Sequence, residues 1–189
     1  TREILKTDAL NIQESSTDNV LNHPDLSLQP QSSAFGQLIH SNLEQMLTFG
    51  LEDWKKKSLD ERLPFWQAQL ARDNINPQQS PMLLKRAKRL IEQLVGSQYI
   101  QWIDQQPKKY FEWGLVSRQQ QEIKEHIIDC FVIDQQQQSW IIDYKSSQVD
   151  HQQSIKEFII SNQLRYQKQL RRYQNLIEQL GYTKPKLIL

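Results

Sequence analysis

The helical period of apolar positions opens at residue 35. Phe35, Leu38, Ile39, Leu43, Met46 and Leu47 recur at three- and four-residue intervals, which predicts an amphipathic helix over "SSAFGQLIHSNLEQML" with Ser32 or Ser33 as its N-cap. His40 lies beside that stripe. Residues 51–72 hold two shorter helical patterns around Leu63-Pro64. "SPMLLKRAKRLIEQLVGSQYIQWI" has the clearest amphipathic pattern and predicts one helix, with Ser80 as N-cap and Pro81 in its first turn. The period then changes from helical to alternating. "KYFEWGLV" predicts a strand, "SRQQQ" a turn, "IKEHIIDCFVI" a second strand, "DQQQQ" a loop and "SWIIDYKSS" a third strand, an antiparallel meander with short links. "SIKEFIISNQLRYQKQLRRYQNLIEQLG" returns to a helical pattern with Gly181 as its C-cap, and "KPKLIL" predicts a short last strand. Residues 1–33 have no steady period and are rich in Ser, Asn, Asp and Pro, which reads as a linker or an extended arm. The expected class is α/β: a small mixed sheet with an antiparallel meander at its centre, flanked by helices.

Composition narrows the setting. A chain of 189 residues suffices for one domain with a sizeable core. A mean hydropathy of −0.71 and the lack of any long apolar run predict a protein with no membrane partner and no signal peptide. The start at Thr1 fits a piece excised from a longer polypeptide. Cys130 is the one cysteine, so neither an internal disulfide nor a cysteine-only zinc or iron–sulfur site can form within the chain, and reducing cytoplasm is the expected compartment. Charge is uneven. Residues 1–54 hold 2 Lys/Arg against 8 Asp/Glu, and residues 55–189 hold 21 against 14. A basic body behind an acidic leader fits a polyanionic partner, although an evenly solvated surface has the same composition.

Two apolar runs carry aspartates where apolar residues would bury more easily. They are "IIDCFVI", with Asp129, and "WIIDYK", with Asp143 and Lys145. In a strand, residues two apart share a face, so Ile141, Asp143 and Lys145 point one way and Trp140, Ile142 and Tyr144 the other. A short loop between neighbouring antiparallel strands can bring Asp129 next to Asp143. Two buried carboxylates repel, and one lysine balances only one of them. A divalent cation that prefers oxygen ligands balances both. The competing reading is an Asp/Lys ion pair on a solvated sheet surface, which the flanking Ile, Cys and Phe residues disfavour.

An Asp on one strand followed by D-x-K on the next resembles the PD-(D/E)XK nuclease core. The wider pattern is similar to the RecB/AddA-type nuclease domain that follows a UvrD-like helicase in exonuclease V enzymes. The family's helical G-x-x-x-H-x-x-L-E motif reads here from Gly36 through His40 and Leu43 to Glu44. Its acidic strand residue is matched by Glu112 in "YFEWGL", its G-x-I-D strand by "HIID" ending at Asp129, and its I-D-Y-K strand by Ile142 to Lys145. Its Y-x-x-Q-L-x-x-Y helix is matched by Tyr166, Gln169, Leu170 and Tyr173, and its closing strand by "KPKLIL". These matches run in family order from residue 36 to the C-terminus. One position departs: His126 stands where the family has glycine, which bears on how substrate fits. No G-x-x-x-x-G-K-[ST] occurs, so this piece cannot hydrolyse ATP by that route. Iron–sulfur relatives, the AddB-type subunit and CRISPR-adaptation nucleases among them, need four cysteines and are excluded.

The resemblance implies a nuclease domain over 34–189 whose metal ligands are His40, Asp129, Asp143 and the Tyr144 main-chain carbonyl. That oxygen-rich set with one imidazole suits Mg²⁺ or Mn²⁺. Lys145 would orient water or neutralise charge building on the phosphate. Glu112 is either a further acid of the site or a solvent-facing strand residue. Gln169 and Tyr173, four apart on one helix face, either position phosphate or are a surface amide beside a half-buried phenol. Without the motif, His40 reads more readily as a helix-edge histidine bonded to a backbone carbonyl; the motif makes it a ligand. Arg165, Lys168, Arg171 and Arg172 form a basic stretch; Arg165, Lys168 and Arg172 are the candidate DNA contacts, against the alternative of a solvated face. The implied partners are DNA, as a single strand, a UvrD-like helicase region of the same polypeptide and a RecC/AddB-like subunit. The implied role is double-strand-break processing and recombination. The rival is a catalytically silent DNA-binding or assembly module with the same fold.

Overall fold

The computed structural model describes residues 3–4, 30–119, 122–146 and 153–189. The arm expected over residues 1–33 falls almost wholly outside them. The elements run β1 (Glu3–Ile4), α1 (Pro30–Phe49), α2 (Glu52–Lys56), a 3₁₀ turn (Leu59–Arg62), α3 (Leu63–Arg72), α4 (Ser80–Val95), α5 (Gln98–Asp104), β2 (Lys108–Gln119), β3 (Glu122–Ile133), β4 (Ser139–Ile142), α6 (Ile155–Gln179) and β5 (Lys186–Ile188).

The sheet has strand order β1-β2-β3-β4-β5. Its centre is the expected antiparallel meander, and a strand is added in parallel at each edge, β1 on β2 and β5 on β4. The fold class inferred from the sequence is the one observed.

Both faces of the sheet are covered along Ile128–Ile133 of β3 and along β4, whose apolar residues are nearly continuous, whereas Glu122–Glu125 and Ile127 of β3 are exposed. On one face Cys130, Val132 and Ile142 join a core built by α1 to α5 around Phe35, Leu38, Leu43, Leu70 and Ile91. On the other, Leu115, Ile128, Phe131, Ile133 and Ile141 pack against Leu170, Tyr173, Leu176 and Ile177 of α6. The layers are thus helices, sheet and one long helix. A buried amide ties the first layer together: Trp66 Nε1 donates to Asn42 Oδ1 at 2.8 Å, and Asn42 Nδ2 donates to the Leu38 carbonyl at 2.7 Å.

Four local expectations are corrected. The pattern over 80–103 is two helices, broken at Gly96-Ser97, because the Ser97 hydroxyl accepts from the Tyr99 N–H and starts α5. Ser80 is the first residue of α4 rather than its cap; its side chain is buried and the cap position belongs to Gln79. α1 begins at Pro30, so Ser32 and Ser33 lie inside it. The third strand ends at Ile142, and Asp143 to Ser146 continue as irregular chain. Gly181 follows the α6 C-cap Leu180 at φ +86°, a left-handed position that favours glycine. At the other end of α6 a capping box joins Ser154 and Glu157 in both directions.

Candidate active site

The alternation along β2 and β3 slips at one level of the sheet. Tyr110 stacks on Trp113, with ring centroids 5.1 Å apart, so residues three apart share a face. Phe111 packs on the α1–α5 side, while Trp113 and Leu115 pack on the α6 side. On β3 the same shift separates Ile128 and Phe131, which face α6, from Cys130, which faces α1. The ladder pairs Phe111 with Cys130 and Trp113 with Ile128, leaving Glu112 opposite Asp129. Glu112 sits at φ +45°, a left-handed conformation that is strained for any residue but glycine. A kink of this kind re-aims side chains out of both cores. Asp129 can therefore occupy a buried strand without entering either apolar layer.

α1 brings the third group. Its approach to the chain after β4 is close: a Cβ on Gly36 would stand 3.1 Å from Ser146 Oγ. One turn further along α1, His40 Nε2 lies 3.0 Å from the Tyr144 carbonyl oxygen. A carbonyl only accepts, so Nε2 carries the hydrogen, and in the neutral ring Nδ1 keeps its lone pair. Nδ1 stands 3.7 Å from Glu112 Oε1 and 3.7 Å from Asp129 Oδ2. Tyr144 is held from both ends of its backbone, since its N–H donates to Asp129 Oδ2 at 2.8 Å.

His40, Glu112 and Asp129 offer one ligand atom each within 4.8 Å of one another. Burial, and next the charge of Asp143, hold the Asp129 carboxyl above the usual carboxylate range. Burial, and next the charge of Asp129, do the same for Glu112. This is the signature of acids gathered without enough positive charge between them. Two or three carboxylates with one imidazole lone pair fit an oxygen-preferring divalent cation such as Mg²⁺ or Mn²⁺.

Asp143 and Lys145 form the adjoining half. Cys130 pairs with Ile142, which places Asp129 and Asp143 next in line across β3 and β4. Asp143 is buried, its N–H donates to the Ile188 carbonyl of β5 at 3.0 Å, and its Oδ2 is ion-paired with Lys145 Nζ. Lys145 Nζ also lies 4.2 Å from the centroid of the Tyr166 ring on α6. Tyr173, further along α6, accepts from Gln169 Nε2 at 2.8 Å. Burial, and to a lesser extent the charges of Asp143 and Asp129, raise its pKa.

The PD-(D/E)XK nuclease family model matches residues 16–187, most of the chain. The chain belongs to the PD-(D/E)XK nuclease superfamily. No curated protein gives a significant match to it. PD-(D/E)XK nucleases use divalent metals, and the acidic cluster lies on the sheet-and-helix framework of that superfamily.

Against this framework the predicted residues separate into groups. His40, Glu112 and Asp129 are brought together directly, with the Tyr144 backbone bonded to two of them. Asp143 and Lys145 adjoin as a pair, and Gln169 and Tyr173 line the facing helix. Of the α6 cations, Arg165 stands 5.5 Å from the Tyr166 ring, and the charge of Arg172 adds to burial in holding the His126 pKa down. Lys168 is exposed. His126, in the glycine position, is buried; its Nε2 lies 2.8 Å from Ser117 Oγ and its ring meets Tyr173 edge-on. Sequence reasoning missed Tyr166 as the seat of Lys145. Tyr166 opens the Y-x-x-Q-L-x-x-Y motif, but a lysine–aromatic contact 21 positions apart leaves no local pattern.

No helix among the described residues is long and apolar enough to cross a membrane.

Proposed function

We propose that this chain is the metal-dependent DNA nuclease domain, over residues 34–189, of a RecB/AddA-type helicase-nuclease. Its substrate is a single DNA strand delivered by a UvrD-like helicase region of the same polypeptide in the cytoplasm. Its setting is double-strand-break processing beside a RecC/AddB-like subunit. The observation that carries the nuclease reading is the convergence of His40, Glu112 and Asp129 at a kink in two strands, with the Asp143–Lys145 pair alongside.

In this reading His40 Nδ1, Asp129 and Glu112 would hold a Mg²⁺ or Mn²⁺ ion, with Asp143 adjoining, while the Tyr144 carbonyl accepts from His40 Nε2 on the other side of the ring. The bound cation supplies Lewis acidity toward the phosphodiester. The chain's own groups do the remaining work. His40 and Asp129 clamp the Tyr144 peptide and so fix where Asp143 and Lys145 stand. Lys145, held between Asp143 and the Tyr166 ring, keeps an ammonium next to the reacting centre, where charge grows on the phosphate oxygens. Tyr173, with its oxygen accepting from Gln169, keeps its own O–H free to donate to a phosphate oxygen. Hydrolysis is in-line: water attacks phosphorus as the bond to the leaving oxygen breaks, and no covalent enzyme intermediate forms.

The test is cleavage of linear single-stranded DNA with Mg²⁺ or Mn²⁺, comparing the parent with Asp143→Ala and an EDTA control. Cleavage that needs both metal and Asp143 supports the reading. Metal binding without cleavage of any DNA favours the silent DNA-binding module, and no metal binding sinks the nuclease reading.

A further inference from the structure

Arg86, on α4, is outside every group given a role above. Its Nη2 donates to the Ser146 carbonyl at 3.1 Å, and its guanidinium lies over the Phe35 ring, 4.0 Å from the centroid. Phe35 is buried and precedes Gly36, the residue against which Ser146 packs. His40 follows Gly36 by one helical turn, about 6 Å along the axis. The guanidinium is thus pinned between the helix that carries His40 and the residue that follows Lys145.

A half-buried cation normally has an anion. No carboxylate stands within ion-pair distance of Arg86 among the described residues, and burial lowers its pKa with no acid offsetting it. Lys88 on the same helix shows the contrast, with its Nζ 2.6 Å from Asp60 Oδ1. Arg89 shares the Arg86 face and Lys85 borders it; both are exposed and neither has an ion pair among the described residues. Arginine held by stacking and one carbonyl still presents a planar fork of donors, the geometry that takes a phosphate oxygen pair.

Resting on the nuclease reading, we propose that Arg86 binds a phosphate of the substrate strand beside the one that is cleaved. Lys85 and Arg89 continue that contact along α4. The strand is then held from both helical layers, by α4 on one side of the sheet and by the basic stretch of α6 on the other.

The test is anisotropy of a fluorescent single-stranded oligodeoxynucleotide bound by the full chain in EDTA, measured across a salt series. Arg86→Gln keeps an amide donor for Ser146 and removes the charge; Arg86→Lys keeps the charge. The expected result for Arg86→Gln is affinity weaker by roughly tenfold and a log–log salt slope shallower by about 0.7, one phosphate contact on a single strand. Arg86→Lys should retain most of the slope, and calorimetric Mn²⁺ binding should be unchanged in both. Unchanged affinity and slope in Arg86→Gln would overturn the proposal. So would equal losses in the two variants at an unchanged slope, which would make Arg86 a structural clamp on Ser146, and so would a parent that does not bind the oligonucleotide. Arg86-dependent binding by a parent that cleaves nothing would support Arg86 as a phosphate contact while sinking the catalytic reading.

Discussion

Asp129→Asn separates the stability of the site from its use. In the metal-free protein Asp129 faces Glu112 across the ladder, with their ligand atoms within 4.8 Å, and Asp143 stands next in line. Two unit charges at that distance repel by about 3 kcal/mol at an effective dielectric near 20. Glu112 has 38 % of its side chain exposed, so solvent screening brings the figure to about 1–2 kcal/mol. Asparagine keeps an oxygen to accept the Tyr144 N–H and places an amide hydrogen toward Glu112 or His40 Nδ1. The variant should therefore be more stable than the parent in EDTA, by about 1–2 kcal/mol, or ~2–8 °C in Tm for a chain of this size. Adding Mn²⁺ should reverse the order. The parent gains about 2.7 kcal/mol at a hundredfold excess over its dissociation constant, and the variant gains little. Thermal unfolding by circular dichroism, in EDTA and then in Mn²⁺, reads both effects. A variant less stable than the parent in EDTA, or an equal Mn²⁺ shift in both, refutes the claim that these carboxylates are held together for a cation.

Tyr166→Leu removes the ring under Lys145 and should lower kcat by about 2- to 30-fold, with Tyr166→Phe near the parent, as single-turnover cleavage would report. Cys130 is fully buried and its thiol is pushed up to about 12, so it should resist a thiol reagent in native buffer and react within seconds in denaturant. Prompt native labelling would contradict the packing. His126 is held below its ordinary 6.5, by burial first and then by Arg172 and Lys124, so unfolding takes up a proton below that value. Its contribution is present above about pH 6.5 and lost as pH falls through that region toward the lowered folded value; a Tm–pH curve from 5 to 8 should flatten there in His126→Gln. Gly36→Val should cost activity more than Gly36→Ala, because the Ser146 hydroxyl can shift a few tenths of an ångström for one methyl but not for two branches.

Much of this protein follows from its sequence alone. Spacing of Phe35 to Leu47 and of Leu170 to Ile177 sets which helix faces are buried, and the short Gln-rich links force neighbouring strands to be antiparallel. Local physics of that kind acts over one or two turns of chain, which is why the class and order of elements were legible. The motifs likewise named Asp129, Asp143 and Lys145 as charges that apolar flanks would not tolerate without partners.

Only the tertiary structure decided the rest. Alternation places Glu112 on one face or the other of a regular strand. The slip at residues 112 and 129 exists because two cores, on opposite faces, are each filled by residues on either side of it. The tautomer of His40 depends on a carbonyl 104 positions away, the seat of Lys145 on a ring from the last helix, and the placing of Arg86, with no carboxylate beside it among the described residues, on what α4 packs beside. A pattern along the chain fixes which side chains leave water, because burial is a property of each element's face. Which charges then meet is fixed by distances between elements, and those are set only when the layers close.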